Sequence, residues 1–205
     1  MRRIIFLLPI LALLAACSDD EPQQPTPVNR VDIVTLESNS PVARLILDAP
    51  GVSGQKVLVA DVPLREELEI GMRLLVDYDA AVADTVRAEV PVHINGYSEV
   101  LTAAVEPLPH EDILSLGAGE AEIVSKWRTG QWINVQMKVA YAGTPRGIGI
   151  AADESTLGED EVKCYIYNPD EPIGPNSIGR TVYASFYIGG LDLLPTQKVS
   201  FLVKD

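Results

Sequence analysis

Histidine and cysteine each occur only twice in the 205 residues. That scarcity argues against a zinc centre rich in His or Cys, since such centres need three or four of these ligands close together. It also argues against disulfide stapling, because Cys17 and Cys164 are the only thiols and the first has another expected fate. Lysine and arginine together number 16 against 29 aspartates and glutamates, for a net charge of −13. A chain this acidic lacks the basic footprint that nucleic acid requires. No amphipathic stretch of three helical turns is present. The catalytic signatures of serine-hydrolase elbows, zinc proteases and phosphate loops are also missing. A pair of distant carboxylates could be found for glycoside hydrolysis in any chain with 29 acidic residues, so that observation carries no weight.

The N-terminus holds the most specific signal. Arg2 and Arg3 precede an apolar run from Ile4 to Ala16. The run is about 13 residues, against the roughly 20 that a membrane-spanning helix needs, so it reads as a secretory leader. It ends in Leu14, Ala15, Ala16 and Cys17. These four residues resemble a bacterial lipobox, in which the Cys thiol is acylated and the leader is cut ahead of it. The alternative is an ordinary cleavage after Ala16, with Cys17 incidental. Residues 1–16 are thus expected to be a lipoprotein signal peptide, with Cys17 as the lipidated N-terminus. Each buried methylene contributes about 0.8 kcal/mol, and one acyl chain is only marginally retentive. The two or three chains that such lipoproteins carry would fix the protein in the membrane. Cleavage removes Arg2 and Arg3 and no acidic residue, so the mature chain is more acidic still.

Ser18, Asp19, Asp20 and Glu21 follow. They resemble the acidic export tag of Bacteroidetes-type lipoproteins, which implies the outer face of the outer membrane. The plainer reading is an acidic tether repelled by anionic head groups, on a periplasm-facing protein. Residues 17–30, with Pro22, Pro25 and Pro27 and no apolar periodicity, are expected to be a flexible tether reaching about 40 Å at roughly 3.1 Å per residue.

The remainder reads as short strands between turns. Val31 to Leu36, Ala43 to Leu47, Gln55 to Ala60 and Arg73 to Tyr78 are candidates, with Pro50 and Gly51 marking a turn. From Thr85 to Asn95, Val86, Ala88, Val90, Val92 and Ile94 share one face, and Pro91 predicts an edge position or a bulge. Asn95 and Gly96 read as a tight hairpin turn, with Tyr97 to Ala103 returning. Pro107, Pro109 and Gly117 to Gly119 then break the pattern, leaving room for one helical turn around Ile113, Leu114 and Leu116. Beyond the break, Gln131 to Tyr141, Gly147 to Ala152, Glu161 to Asn168, Thr181 to Ile188 and Lys198 to Lys204 are strand-like. The expected fold class is all-β, with two small domains: a barrel over 31–106, a linker over 107–120 and a sandwich over 121–205.

Candidate chemistry is sparse. His93 falls opposite Val92 and Ile94 in phase, so it is expected to face solvent, and His110 is expected on the linker surface. Cys164 lies in an apolar strand, where a buried inert thiol is expected. Asp153 to Glu161 is acidic and places Gly158 sixth, as in a calcium loop. Its twelfth position, however, is Cys164, where a bidentate Glu is required. A solvated acidic loop is expected, with an irregular calcium site as the alternative. Gly147 to Ala152 has no following helix, which rules against a dinucleotide loop. Trp127 and Trp132 bracket Arg128 to Gln131. They could form a stacking platform for sugar or peptide, or pack at the domain interface, with each indole burying roughly 200 Å². Tyr183, Ser185 and Tyr187 form the polar face of their strand, as a second possible surface or an ordinary solvated one.

The order of these elements resembles the NigD-like lipoproteins, over nearly the whole mature length. The stretches that carry the resemblance are Arg73 to Tyr78, Val92 to Thr102, Trp132 to Met137 and Tyr183 to Phe186. It implies an OB-like β-barrel followed by an immunoglobulin-like β-sandwich, though the paired cysteines of antibody-type sandwiches are absent. It carries over no functional residue. The expectation is a non-enzymatic envelope lipoprotein, held to the membrane through Cys17 and without cofactor. It would bind a protein, peptide or glycan partner through loops or a domain seam. The alternative is a structural or adhesive, fimbrial-type subunit that exchanges a strand near Lys198 to Lys204.

Overall fold

The computed structural model describes residues 27–48, 55–81, 88–117, 121–141, 148–167, 178–194 and 196–204. Strands make up most of the described residues. The first five are β1 (Pro27–Ser38), β2 (Arg44–Leu47), β3 (Val57–Ala60), β4 (Arg73–Ala81) and β5 (Glu89–Glu99). They close into a barrel in the order β1-β2-β3-β5-β4, with β4 pairing back onto β1. Every pairing in the barrel is antiparallel except β3 with β5. Strict alternation produces the barrel interior. Leu74, Val76, Tyr78 and Ala80 of β4 are buried, while Leu75, Asp77 and Asp79 between them are less so. Val34, Leu36, Leu45, Leu58, Val90 and Val92 complete a core filled by side chains, as a small barrel requires. The Tyr78 ring is inside, and its hydroxyl donates to Asp32 Oδ2 at 2.8 Å.

The structure differs from the sequence expectation at three places in this half. Asn95 and Gly96 do not turn the chain. They form a bulge within β5, where Asp77 pairs Gly96 and Tyr78 pairs Ile94, leaving Asn95 as the extra residue. A long strand wins over a hairpin because β5 has a partner on each side, β3 and β4, and the bulge gives it the curvature that closure demands. Residues 27–30, read as tether, belong to β1: the ladder with β4 continues to Pro27 opposite Ala81. Residues 101–106, read as barrel, belong to the second half. The barrel is already closed at Glu99 and offers no edge to a further strand. Pro91 lies just beyond the β4 ladder, opposite Val59 of β3, where its missing N–H is tolerated.

The second half is a sandwich of two sheets. β6 (Leu101–Ala104), β7 (Glu106–Leu108), β8 (Ala121–Thr129), β9 (Trp132–Tyr141), β10 (Gly149–Asp153), β11 (Glu161–Tyr167), β12 (Ile178–Tyr187) and β13 (Lys198–Val203) supply it. One sheet has the order β13-β11-β10-β7, the other β6-β12-β9-β8. Val105 is buried where the chain steps from the second sheet to the first. Val162, Cys164, Ile166, Ile150 and Phe201 face Ile133, Val135, Met137, Ala184 and Phe186 across one core. Phe186 and Phe201 stack with centroids 6.1 Å apart. Cys164 is fully buried, and desolvation pushes its thiol up to about 12, so it behaves as a core residue.

The sheets are mixed, not antiparallel throughout as an immunoglobulin-type sandwich would be: β7–β10, β11–β13 and β6–β12 are parallel. The cause is the route of the chain. β6 and β7 enter as one run divided between the two sheets, and β13 follows a strand of the opposite sheet before pairing with β11. The region read as linker, 107–120, is not a free connection. It holds the end of β7 and then α1 (His110–Ser115), the expected helical turn, which buries Ile113.

Asp153 closes β10 and ties α1 down. Its side chain accepts from Ser155 N at 3.1 Å and Ser155 Oγ at 2.6 Å, and lies 2.7 Å from His110 Nδ1. Burial alone would raise its pKa, but the bonds from Ser155 and His110 hold the carboxyl below the usual range. The ionised form therefore stabilises the fold above the unfolded value of about 3.9, and that contribution is lost as pH falls through the lower folded value. Replacement Asp153→Asn should lower the urea midpoint at pH 7. The gap to the native chain should narrow steadily between pH 5 and pH 3, measured by fluorescence-monitored unfolding.

Candidate functional site

The barrel does not stand apart from the sandwich. Its wall packs on the outer face of sheet β6-β12-β9-β8, through a buried polar cluster centred on Arg73. Gly71, at φ 91°, turns the chain into β4, and Arg73 opens that strand. Alternation then directs Leu74 inward and Arg73 outward, beside its register partner Thr35 of β1. Asp48, immediately after β2, comes alongside because its N–H donates to Ile33 O at 3.0 Å. On the sandwich side, Asn134 of β9 and Ser185 of β12 are direct cross-strand partners, flanked by the pair Trp132 and Tyr187.

All three guanidinium nitrogens of Arg73 are engaged. Nη1 donates to Asp48 Oδ2 and, at 2.7 Å, to Thr35 Oγ1. Nη2 donates to Asn134 Oδ1 at 2.6 Å and to Ser185 Oγ at 3.2 Å, and Nε reaches Ser185 Oγ at 3.3 Å. Ser185 Oγ in turn donates to Asn134 Oδ1 at 2.7 Å. The Trp132 ring lies against the cation, 4.8 Å from Cζ. The Trp127 indole N–H donates to the backbone oxygen of Asp48. The ionic pair is almost out of water, with side chains 2% and 5% exposed. Burial pushes the Asp48 carboxyl up and the Arg73 guanidinium down, each against the pull of its partner. The cluster is thus held by geometry and by the hydrogen bonds around the guanidinium more than by net electrostatic gain. Asn134 Nδ2 is the one buried side-chain polar atom without a partner among the described residues.

The sequence-derived candidates fall as follows. Trp127 and Trp132 both lie at this seam, one bonded to Asp48 and the other on Arg73 and 5.1 Å from the Tyr187 ring. Ser185 is fully buried, contrary to the solvated face expected for it, because the barrel wall covers that part of the sheet. Tyr183 is half-buried and accepts from Gln136 Nε2 at 3.1 Å, while Tyr187 stays exposed. His93 is exposed and bonded to Asp61 at 2.6 Å, which raises its pKa. Cys17, Ser18, Asp19, Asp20 and Glu21 lie outside the described residues. Arg73, Asp48, Thr35 and Asn134 were not singled out by the sequence. Alternation alone assigns Arg73 and Asn134 to outward faces, and only knowledge of the partner face reveals that those faces are covered.

Next to the seam, the β8–β9 turn and the segment after β12 enclose an open cleft of about 250 Å³. Arg128, Gln131, Ile188, Gly189, Asp192 and Leu193 line it. A second concavity, at the barrel end beside Tyr78, holds only about 20 Å³, enough for a water but no ligand.

Replacement Arg73→Met should cost about 3–5 kcal/mol in urea unfolding, because Asp48 would remain buried without its cation. The double change Arg73→Met with Asp48→Leu should recover a substantial part of that loss.

Residues 1–18 match the prokaryotic membrane lipoprotein lipid attachment site, so the chain is a membrane-anchored envelope lipoprotein. No helix among the described residues is long and apolar enough to cross a membrane. No curated protein matches the sequence. Solved structures do share the fold. A protein of unknown function from Bacteroides vulgatus is 16% identical, with 86% of this chain and 84% of that one covered at a TM-score of 0.64. A candidate lipoprotein from Bacteroides fragilis is 11% identical, with 86% and 88% covered at 0.58. A NigD-like immunity protein from Bacteroides caccae is 16% identical, with 85% and 86% covered at 0.60, so this envelope lipoprotein has the fold of a group that includes a NigD-like protein.

Proposed function

We propose that this chain is a NigD-like, non-catalytic binding lipoprotein, anchored through Cys17 in the outer membrane and displayed at the cell surface. The acidic run from Ser18 to Glu21 supports the surface reading. The strand order β1-β2-β3-β5-β4, with β3 parallel to β5, supports an OB-type barrel. The two facing sheets with one core support a sandwich related to the immunoglobulin type, with the parallel pairings as its departures. The observation that carries the binding reading is the cleft beside the seam. It is concave and bordered by charged side chains, as small-ligand sites are, and it is built wholly from the sandwich, at the β8–β9 turn and the segment after β12. Arg73, by contrast, spends its donors on the protein's own acceptors and joins the two halves. A strand-exchanging subunit has less support, because β13 is already paired with β11 over its whole length.

Three measurements test this. Replacement Cys17→Ser should abolish acylation, read by mass spectrometry as loss of the lipid from the N-terminal peptide and retention of residues 1–16. In intact cells the native chain should be digested by added protease, and replacing Asp19, Asp20 and Glu21 together by Ala should protect it. Protection of the native chain would place it on the periplasmic side. For binding, the mature lipidated chain in detergent should retain a saturable component from envelope extracts, and Arg128→Gln with Asp192→Asn should lose it. Retention of nothing saturable would overturn the binding reading.

A further inference from the structure

The cleft holds two opposite charges that do not pair with each other. Arg128 Nε donates to Gly130 O at 3.0 Å, which folds the side chain back over the β8–β9 turn and leaves the two Nη groups uncommitted among the described residues. Asp192 stands on the other side, at the end of the turn formed by Gly189–Leu191. Its carboxylate has no hydrogen-bond or ion-pair partner among the described residues. Its backbone is left-handed, φ 50° and ψ 38°, a conformation that non-glycine residues adopt sparingly and that local needs must maintain. Gln131 lines the same cleft, and its Oε1 accepts from the Tyr187 hydroxyl at 3.0 Å, so that its Nε2 remains available as a donor. Gly189 lets the Tyr187–Gln131 pair lie close against its backbone: a Cβ there would collide with the Tyr187 hydroxyl and the Gln131 oxygen. Ile188, itself buried, and Leu193 complete a lining that is mostly polar.

We infer that this cleft binds a zwitterionic α-amino acid group. The carboxylate would sit on the Arg128 fork, a charge-assisted contact that planar guanidinium favours. The ammonium would sit on Asp192, and Gln131 Nε2 would donate to a carboxylate oxygen. A cleft of about 250 Å³ has room for a short side chain. A ligand carrying both charges satisfies both walls at once. An ion of one sign leaves the opposite charge unpaired, and a neutral sugar satisfies neither charge. Two sources present the same head group: a free amino acid, and the free end of a diamino acid within an envelope peptide. This assignment rests on the binding reading above, which survives if a different ligand class occupies the cleft.

Calorimetric titration of the mature lipidated chain in detergent tests it. The probes are L-leucine, leucinamide (no carboxylate), N-acetyl-leucine (no ammonium), a tripeptide ending in meso-diaminopimelate, and N-acetylglucosamine. Leucine or the diaminopimelate peptide should bind, and whichever is tighter identifies the source. Leucinamide and N-acetyl-leucine should bind at least about tenfold more weakly. Arg128→Gln and Asp192→Asn should each weaken binding by a similar factor. Asn tolerates the left-handed backbone, so the second variant retains the fold. Gly189→Ala, which displaces the Tyr187–Gln131 pair, should weaken binding, with near-UV circular dichroism reporting that the fold persists. Equal binding of leucine and its two blocked forms, or indifference to both charge variants, would overturn the inference. So would failure of both zwitterions at 10 mM ligand, about the weakest useful affinity. Binding of N-acetylglucosamine alone would overturn it while leaving the binding reading intact.

Discussion

Arg73 is taken out of water where the barrel wall meets the second sheet of the sandwich, and the relation between the two halves depends on how that charge is satisfied. Two acceptors come from the barrel, Thr35 and Asp48, and two from the sandwich, Asn134 and Ser185. Neither half supplies a complete set. Separation would leave a cation that has lost part of its shell, facing an aspartate held against it, and each group would have to recover its hydration. An interface built this way discriminates against other relative placements more strongly than a greasy contact would, because sliding the barrel along the sheet would carry Arg73 away from its acceptors Asn134 and Ser185 and leave a buried cation unpaired. The indoles of Trp127 and Trp132 add area around the charge and keep solvent from it.

The same arrangement explains why the candidate binding surface is at the margin of the seam. The β8–β9 turn and the segment after β12 extend from strands whose other residues are clamped against the barrel. Arg128, Gln131 and Asp192 are thereby set on a rigid base, while their functional groups stay in solvent. Gln131 links the two: its carbonyl accepts the Ile188 N–H, and its side chain meets Tyr187, which packs on Trp132. Positioning by backbone on one side and by aromatic contact on the other is the sort of support that lets a shallow site hold its shape.

Much of the fold was legible because period-two patterning survives in nearly every strand. Leu74, Val76 and Tyr78 announced one core, and Ile133, Val135 and Met137 the other. What patterning could not convey was pairing. Asn95 and Gly96 have the composition of a hairpin turn, and their outcome as a bulge depends on β3 and β4 lying on either side of β5, contacts far apart in sequence. Leu101 to Ala104 likewise continue the alternation of the barrel, yet join β12. The seam was hidden for a related reason. Thr35, Arg73, Asn134 and Ser185 all occupy positions that a two-faced strand gives to solvent, and burial came from a second face that local sequence does not encode. The two tryptophans alone hinted that something large lay there.

The far end of β1 has a mechanical consequence. Nine register pairs join Pro27 through Thr35 to Ala81 through Arg73, and the last of them holds two members of the buried cluster. At about 3.3 Å per residue, the start of β1 lies some 26 Å along the strand from that cluster. A tug applied at Pro27 along the strand axis loads the whole ladder in shear, sharing the force among its hydrogen bonds instead of unzipping them singly. The ladder thus carries the load from Pro27 to the buried cluster, at the far end of β1 from the anchor side.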